Sequence, residues 1–221
     1  GKLRLLGIPD ASYKNNEDKS SQRAHVIFIC EQRSEIASAN LRGSLVDYES
    51  HKITVTTQST TVAELHAFMK CFGTCLFLKG LWADLSGEST EIHMRTDANN
   101  LVTTAKTTHA PEQKETIHLI QMLRKESISG KIDDLAHVSS ADCLSDCLTK
   151  HSAKPDAIIQ AVESGYLKNI DKHPPFRTLL KHKAFLGKWI AGNIKKPLEV
   201  LSFLVEDVTA VVSHAFTSMF C

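Results

Sequence analysis

TTVAELHAFMKCFGTCLFLKGLWADL, residues 60–85, is the stretch where the hydrophobic period of the chain changes. Within it Val62, Leu65, Met69, Phe72 and Leu76 recur at spacings of three and four, and Phe68, Cys71, Cys75, Leu78 and Trp82 form a second row. Two apolar rows predict a helix buried over most of its circumference. Glu64 is expected on its first turn, where the positive end of the helix dipole favours a carboxylate. Upstream the pattern is that of strands. KLRLLGIPDAS (2–12) has the density of a buried strand ending in a turn, and AHVIFICE (24–31) is a second strand, apolar and β-branched. GSLVDYES (43–50) with KITVTT (52–57) reads as a third strand and its exit. Three short consecutive strands joined by loops predict an antiparallel meander.

Downstream, STEIHMRTD (89–97) is a strand closing on Asp97, and ANNLVTTAK (98–106) continues as a short helix. PEQKETIHLIQMLRKES (111–127) is a helix opened by proline, KIDDLAHV (131–138) a last strand, and ADCLSDCLTKH (141–151) a short helix carrying Asp146. The order β-β-β-α-β-α-α-β-α predicts an α/β domain. Its mixed five-stranded sheet, a meander plus two parallel strands, has helices on both faces. The expected organisation is a domain over residues 1–151 and a helical C-terminal extension over 152–221.

The chain has 221 residues, 42% hydrophobic and 23% charged, within the range of ordinary folded domains. Its net charge of +1 gives no overall basic bias, so nucleic-acid binding would depend on local patches. Six cysteines in this length lack the density of a secreted disulfide framework and suggest a reducing intracellular compartment. Residues 1–9 read as a strand and not as a signal peptide.

Four acids stand in distinctive local settings: Asp10 in IPDAS, Glu64 in TTVAELHAF, Asp97 in HMRTDANN and Asp146 in CLSDCLTK. Three of them end an apolar run or lie inside an apolar helix, where a lone carboxylate is expensive. Gathered together, they would hold hard divalent cations, magnesium or manganese, through oxygen ligands. That is the chemistry of phosphodiester hydrolysis by two metal ions.

These motifs, together with KETIHLIQMLR, resemble in spacing and order the ribonuclease H domain of copia-type LTR retrotransposon polyproteins. The match covers roughly residues 1–151 and looks like the C-terminal end of such a polyprotein, detached. The resemblance implies a ribonuclease H fold and hydrolysis of the RNA strand of RNA–DNA hybrids. It implies two Mg2+ or Mn2+ ions held by Asp10, Glu64, Asp97 and Asp146, with Asp10 bridging them. Hybrid selectivity would come from 2′-hydroxyl and phosphate contacts across a minor groove. Asn99, Asn100 and His151 are the candidates for touching nucleic acid, although Ala98 intervenes where the family often has asparagine directly after the acid. Family resemblance points to cytoplasm or nucleus and leaves an organelle open. A second reading is a catalytically silent, domesticated domain that serves as a structural or interaction subunit through its C-terminal helices.

Two CxxxC pairs, Cys71–Cys75 and Cys143–Cys147, invite a zinc site of four thiolates. Cys71 and Cys75 belong to an apolar helix row, however, and free cysteine packs as a small hydrophobe, so core packing is the preferred reading. In the tail, KPDAIIQAVESGY (154–166) reads as a short helix closed by Gly165, and HPPF (173–176) breaks the chain. Residues 176–221 hold a basic amphipathic helix and a last amphipathic helix from about Leu198 to Phe220, which is the candidate for docking a protein partner. Glu206 and Asp207 lie at the centre of that last segment, and central charges cost about 2.5–3.5 kcal/mol each on insertion. No transmembrane span is therefore expected, and peripheral membrane contact is the remaining membrane role.

Overall fold

The computed structural model describes residues 2–31, 40–106, 116–150 and 152–170. Three strands open the chain: β1 (Leu3–Ser12), β2 (Gln22–Glu31) and β3 (Asn40–Lys52). They pair antiparallel in sequence order. Helix α1 (Thr60–Ser86) follows, then β4 (Glu91–Thr96), α2 (Asn99–Lys106), α3 (Ile117–Ile128) and β5 (Asp134–His137). β4 runs parallel to β1, and β5 parallel to β4. Two single 3-10 turns, Ser140–Asp142 and Asp146–Leu148, lead to α4 (Asp156–Ser164) and β6 (Tyr166–Lys168), which pairs antiparallel with the start of β3.

The sheet order is β5-β4-β1-β2-β3-β6. A three-stranded meander followed by two parallel strands on the far side of β1 is the ribonuclease H-like α/β arrangement that the motifs imply. The five expected strands are joined by a sixth. The segment around Asp146, expected as a short α-helix, is a pair of 3-10 turns instead. Asp142 and Asp146 each bond locally there, and a helical register never propagates across Cys143, whose backbone is extended.

The alternation of β1 explains the layers, because successive side chains of a strand point to opposite faces. Leu5 packs with Ile27, Phe68, Phe72, Ile92, Met94, Ile120 and Leu123 under α1 to α3. Leu6 and Ile8 pack with Val26, Phe28, Val138, Leu144, Ala161 and Leu167 on the other face, under α4 and the 3-10 turns. Helix α1 is tied down by its ends: the Ser59 hydroxyl accepts from the Val62 amide, and Gly87 closes the helix in the left-handed region at φ 70°. Its buried face runs from Val62 to Cys75, beyond which Phe77 and Leu85 are exposed. By length and hydropathy α1 could cross a bilayer, but half of its most apolar window is buried against the domain, as in a core helix.

Gly7 sets how closely α1 approaches the sheet. A Cβ there would lie 2.8 Å from Cys71 Sγ and 2.9 Å from Met94 Sδ, so any larger residue would push helix and strand apart. Cys71 and Cys75 are fully buried in this layer, as core packing requires, and Cys143 belongs to the cluster on the opposite face. A site of four thiolates is thereby ruled out. The proline-led start of the 111–127 helix, His151, and residues 171–221 with both amphipathic tail helices lie outside the described residues.

Candidate metal centre at the end of the central strands

β1 and β4 are parallel neighbours, so their C-terminal ends emerge side by side, with Asp10 near the end of β1 and Asp97 directly after β4. Asp10 is 1% exposed. Its Oδ2 accepts a short hydrogen bond from the Thr149 hydroxyl, while its Oδ1 is buried with no hydrogen-bond partner. Burial pushes its pKa up to about 6. The Thr149 bond and the Lys150 charge pull it down, and the Asp97 and Asp146 charges push it further up.

Glu64 reaches the same place from α1. It does not lie on the first turn: the helix begins at Thr60 under the Ser59 cap, the first turn carries no acid, and Glu64 sits in the second turn. There it gains little from the helix dipole. The backbone N–H of Ala11 donates to its carboxylate, but Oε2 is buried and unpartnered. Burial, then the charges of Asp10 and Asp97, push its pKa up to about 9.

Asp97 is half-buried and accepts from the Ser140 hydroxyl at 2.9 Å. Asp146 opens the second 3-10 turn, is half-buried, and is ion-paired with Lys150 one turn on. Burial works against the Lys150 ammonium. Asp146, Asp10 and Asp97 outweigh it and hold that pKa above its ordinary value. Four carboxylates that sense one another thus share the charge of Lys150. Buried oxygens without donors on Asp10 and Glu64, whose ionisation is suppressed by burial first and by neighbouring carboxylates second, are the donor set that a divalent cation satisfies. The residues present fit such an ion.

No protein-family model matches the chain, and no curated protein matches it. Among solved structures it is similar to the N-terminal RNase H domain of Rv2228c from Mycobacterium tuberculosis, solved as a fusion with maltose-binding protein. That likeness has 12% identity over 72% of this chain and 99% of that one, at a TM-score of 0.46. It is also similar to LC11-RNase H1, isolated from compost by a metagenomic approach and solved in complex with an RNA/DNA hybrid. There the identity is 12% over 70% of this chain and 99% of that one, at a TM-score of 0.46. The solution structure of the PFV RNase H domain matches at 14% identity over 63% and 81% of the two chains, at a TM-score of 0.38. Likenesses this distant transfer no residue and no activity; the site rests on its own geometry.

Of the sequence-derived candidates, Asp10, Glu64, Asp97 and Asp146 come to one end of the sheet. Asn99 is exposed at the start of α2. Asn100 is also exposed, and its side-chain amide donates to the Thr61 hydroxyl at 2.9 Å, tying α2 to α1. His151 lies outside the described residues. Sequence reasoning missed the residues that surround the acids. Thr149 and Lys150 stand in the same LSDCLTK motif as Asp146, and a hydroxyl and a lysine three and four residues after the acid, one turn on, were the available signal. Cys143 was read only as half of a CxxxC pair. Its sulfur and one carboxylate oxygen each of Asp10 and Asp97 all lie within 4.8 Å of one another.

From Asp10, β1 runs into the loop to β2. A cavity of about 250 Å³ opens there, lined by Lys14, Asp18, Lys19, Lys52, Ser20, Ser21 and Thr57 among others. Its charge is mixed, with Lys52 ion-paired to Asp18 beside Lys14 and Lys19.

Proposed function

We propose that this chain is a retrotransposon-derived ribonuclease H-like domain of copia type. In this reading it hydrolyses the RNA strand of RNA–DNA hybrids with two Mg2+ or Mn2+ ions. The observation that carries the reading is the convergence of Asp10 and Glu64, each buried with an unpartnered carboxylate oxygen, beside Asp97 and Asp146. Asp10 and Glu64 each have a donor on their other oxygen, and an ion would supply what the unpartnered oxygen lacks. Asp10, Glu64, Asp97 and Asp146 would hold the ions, which when bound activate water and stabilise the leaving oxygen. Thr149 holds the Asp10 carboxylate in orientation through its hydroxyl, and Ser140 does the same for Asp97. Lys150 neutralises part of the cluster while no ion is bound and would be free to pair with a substrate phosphate once one is. Lys14 and Lys19, with the hydroxyls of Ser20, Ser21 and Thr57 in the cavity beyond β1, are groups that a nucleic-acid backbone would use.

The second reading, a silent domain with an interaction role, is favoured by one observation: the fourth acid is already paired internally, Asp146 with Lys150. A cleavage assay on a labelled hybrid separates the two. Wild-type chain should cleave the RNA strand with magnesium or manganese. Asp10→Asn and Asp97→Asn should abolish cleavage while leaving the far-ultraviolet circular dichroism unchanged. Absence of wild-type cleavage with both metals across a range of pH would favour the silent reading.

A further inference from the structure

The sulfur of Cys143 lies where an all-oxygen magnesium site has no use for it. Cys143 is 6% exposed, and its Sγ touches the Ser145 hydroxyl at 3.4 Å. Asp10 and Asp97 each bring a carboxylate oxygen within 4.8 Å of that sulfur and of each other. A second observation concerns the side chain of Asp10 itself: its Oδ1 is buried and unpartnered on a residue that is 1% exposed. Two carboxylates and a thiol form a three-ligand set for a tetrahedral ion with an open fourth position. Ligand softness separates the cations. Magnesium takes oxygen and keeps its water, whereas zinc and cadmium favour sulfur.

We propose that Asp10, Asp97 and Cys143 form a mixed oxygen–sulfur site for a thiophilic divalent cation of the zinc type. It competes with oxygen-seeking ions for the same two carboxylates. Binding forms a metal–sulfur bond and releases the thiol proton to solvent, so each ion bound liberates one proton from Cys143. The competition with catalysis rests on the proposed function; the ion site itself does not. If both hold, zinc is an inhibitor of this domain, and the balance of the two metals sets its activity.

The test uses the full chain, reduced, with cadmium as the spectroscopic probe. Titration should raise a sulfur-to-cadmium charge-transfer absorption that saturates, with release of a proton. Cys143→Ser and Cys143→Ala should both lose the band, and Asp97→Asn should weaken cadmium binding by about 10-fold or more. Cys147→Ser and Cys221→Ser should keep the band, and excess magnesium should displace cadmium in competition. A band that survives in both Cys143 variants, or its absence from wild type, overturns the proposal. Because the band needs no substrate, a chain that shows it and cleaves no hybrid keeps the ion site and loses the nuclease reading. A chain that cleaves and shows no band loses the ion site.

Discussion

The same face of β1 and β4 carries buried charge at both ends, and the two ends treat it in opposite ways. At the N-terminal end Arg4 Nη1 lies 3.1 Å from His93 Nδ1, and His93 Nε2 lies 3.0 Å from Glu91. Arg95 Nη2 meets Asp134 at 2.6 Å. Arg95 is paired there with the Asp134 carboxylate, and His93 lies between Glu91 and Asp134. At the C-terminal end Asp10, Glu64, Asp97 and Asp146 crowd together around Lys150. One end is compensated internally; the other is left in deficit. Folding requires buried charge to be paired, so a deficit held in place by the same strands marks the end that is built for something outside the chain.

The strongest way to break this contrast is to remove a partner at the compensated end. Asp134→Ala leaves Arg95 buried without its carboxylate and should destabilise by about 3–5 kcal/mol in urea unfolding. A loss under about 1 kcal/mol would mean that this end is not held by pairing at all. At the acid end the pH dependence should run the other way. Asp10 and Glu64 have folded pKa values raised to about 6 and about 9. The folded state therefore binds more protons than the unfolded state between the two values of each group. Without metal, the contribution of these two acids to stability should be greatest below about pH 4 and fall as pH rises towards 9. Asp10 alone should account for about 3 kcal/mol of that fall, about 2 kcal/mol of it between pH 4 and 6 and the rest above pH 6. Asp10→Asn should be nearly neutral at pH 4 and stabilising at pH 8, measured by urea midpoints in the presence of chelator. A saturating divalent ion should reverse the wild-type fall, by about 2.7 kcal/mol at 100 times its Kd. The smallest effect is expected from Thr149→Val. Losing one hydrogen bond should cost about 1 kcal/mol and move the Asp10 titration, followed by carboxyl NMR, to higher pH.

The contrast was only half legible in the sequence. The change of period at Thr60 and the apolar density of β1 and β2 were sufficient to predict strands before a long buried helix, because each run is long enough to show its character. Most of the acids were legible because they end an apolar run or, like Glu64, lie inside an apolar helix. Cys143 was not, since a thiol beside carboxylates looks in sequence like any small buried hydrophobe. The 3-10 turns were misread as one helix because Asp146–Leu148 is too short to show a period. β6 escaped for the same reason, being three residues with one buried side chain. The compensated end was hidden because Arg4, His93, Arg95 and Asp134 are scattered across the chain and meet only through strand register.

That short sixth strand has a consequence for how the chain must be handled by whatever makes or cuts it. β3 is the longest strand of the sheet, at 13 residues, and would otherwise present its first residues to solvent as an open ladder. Leu41 to Leu167 is the central pair of the β3–β6 contact, and both side chains are buried, at 4% and 0% exposed. Proteolysis anywhere between residues 152 and 165 would sever that guard from the body of the sheet. It would leave a sticky backbone edge beside an uncovered leucine, the combination that seeds strand-to-strand aggregation. The sequence after the last acid therefore acts as a hem: it finishes the fabric and keeps it from catching on its neighbours.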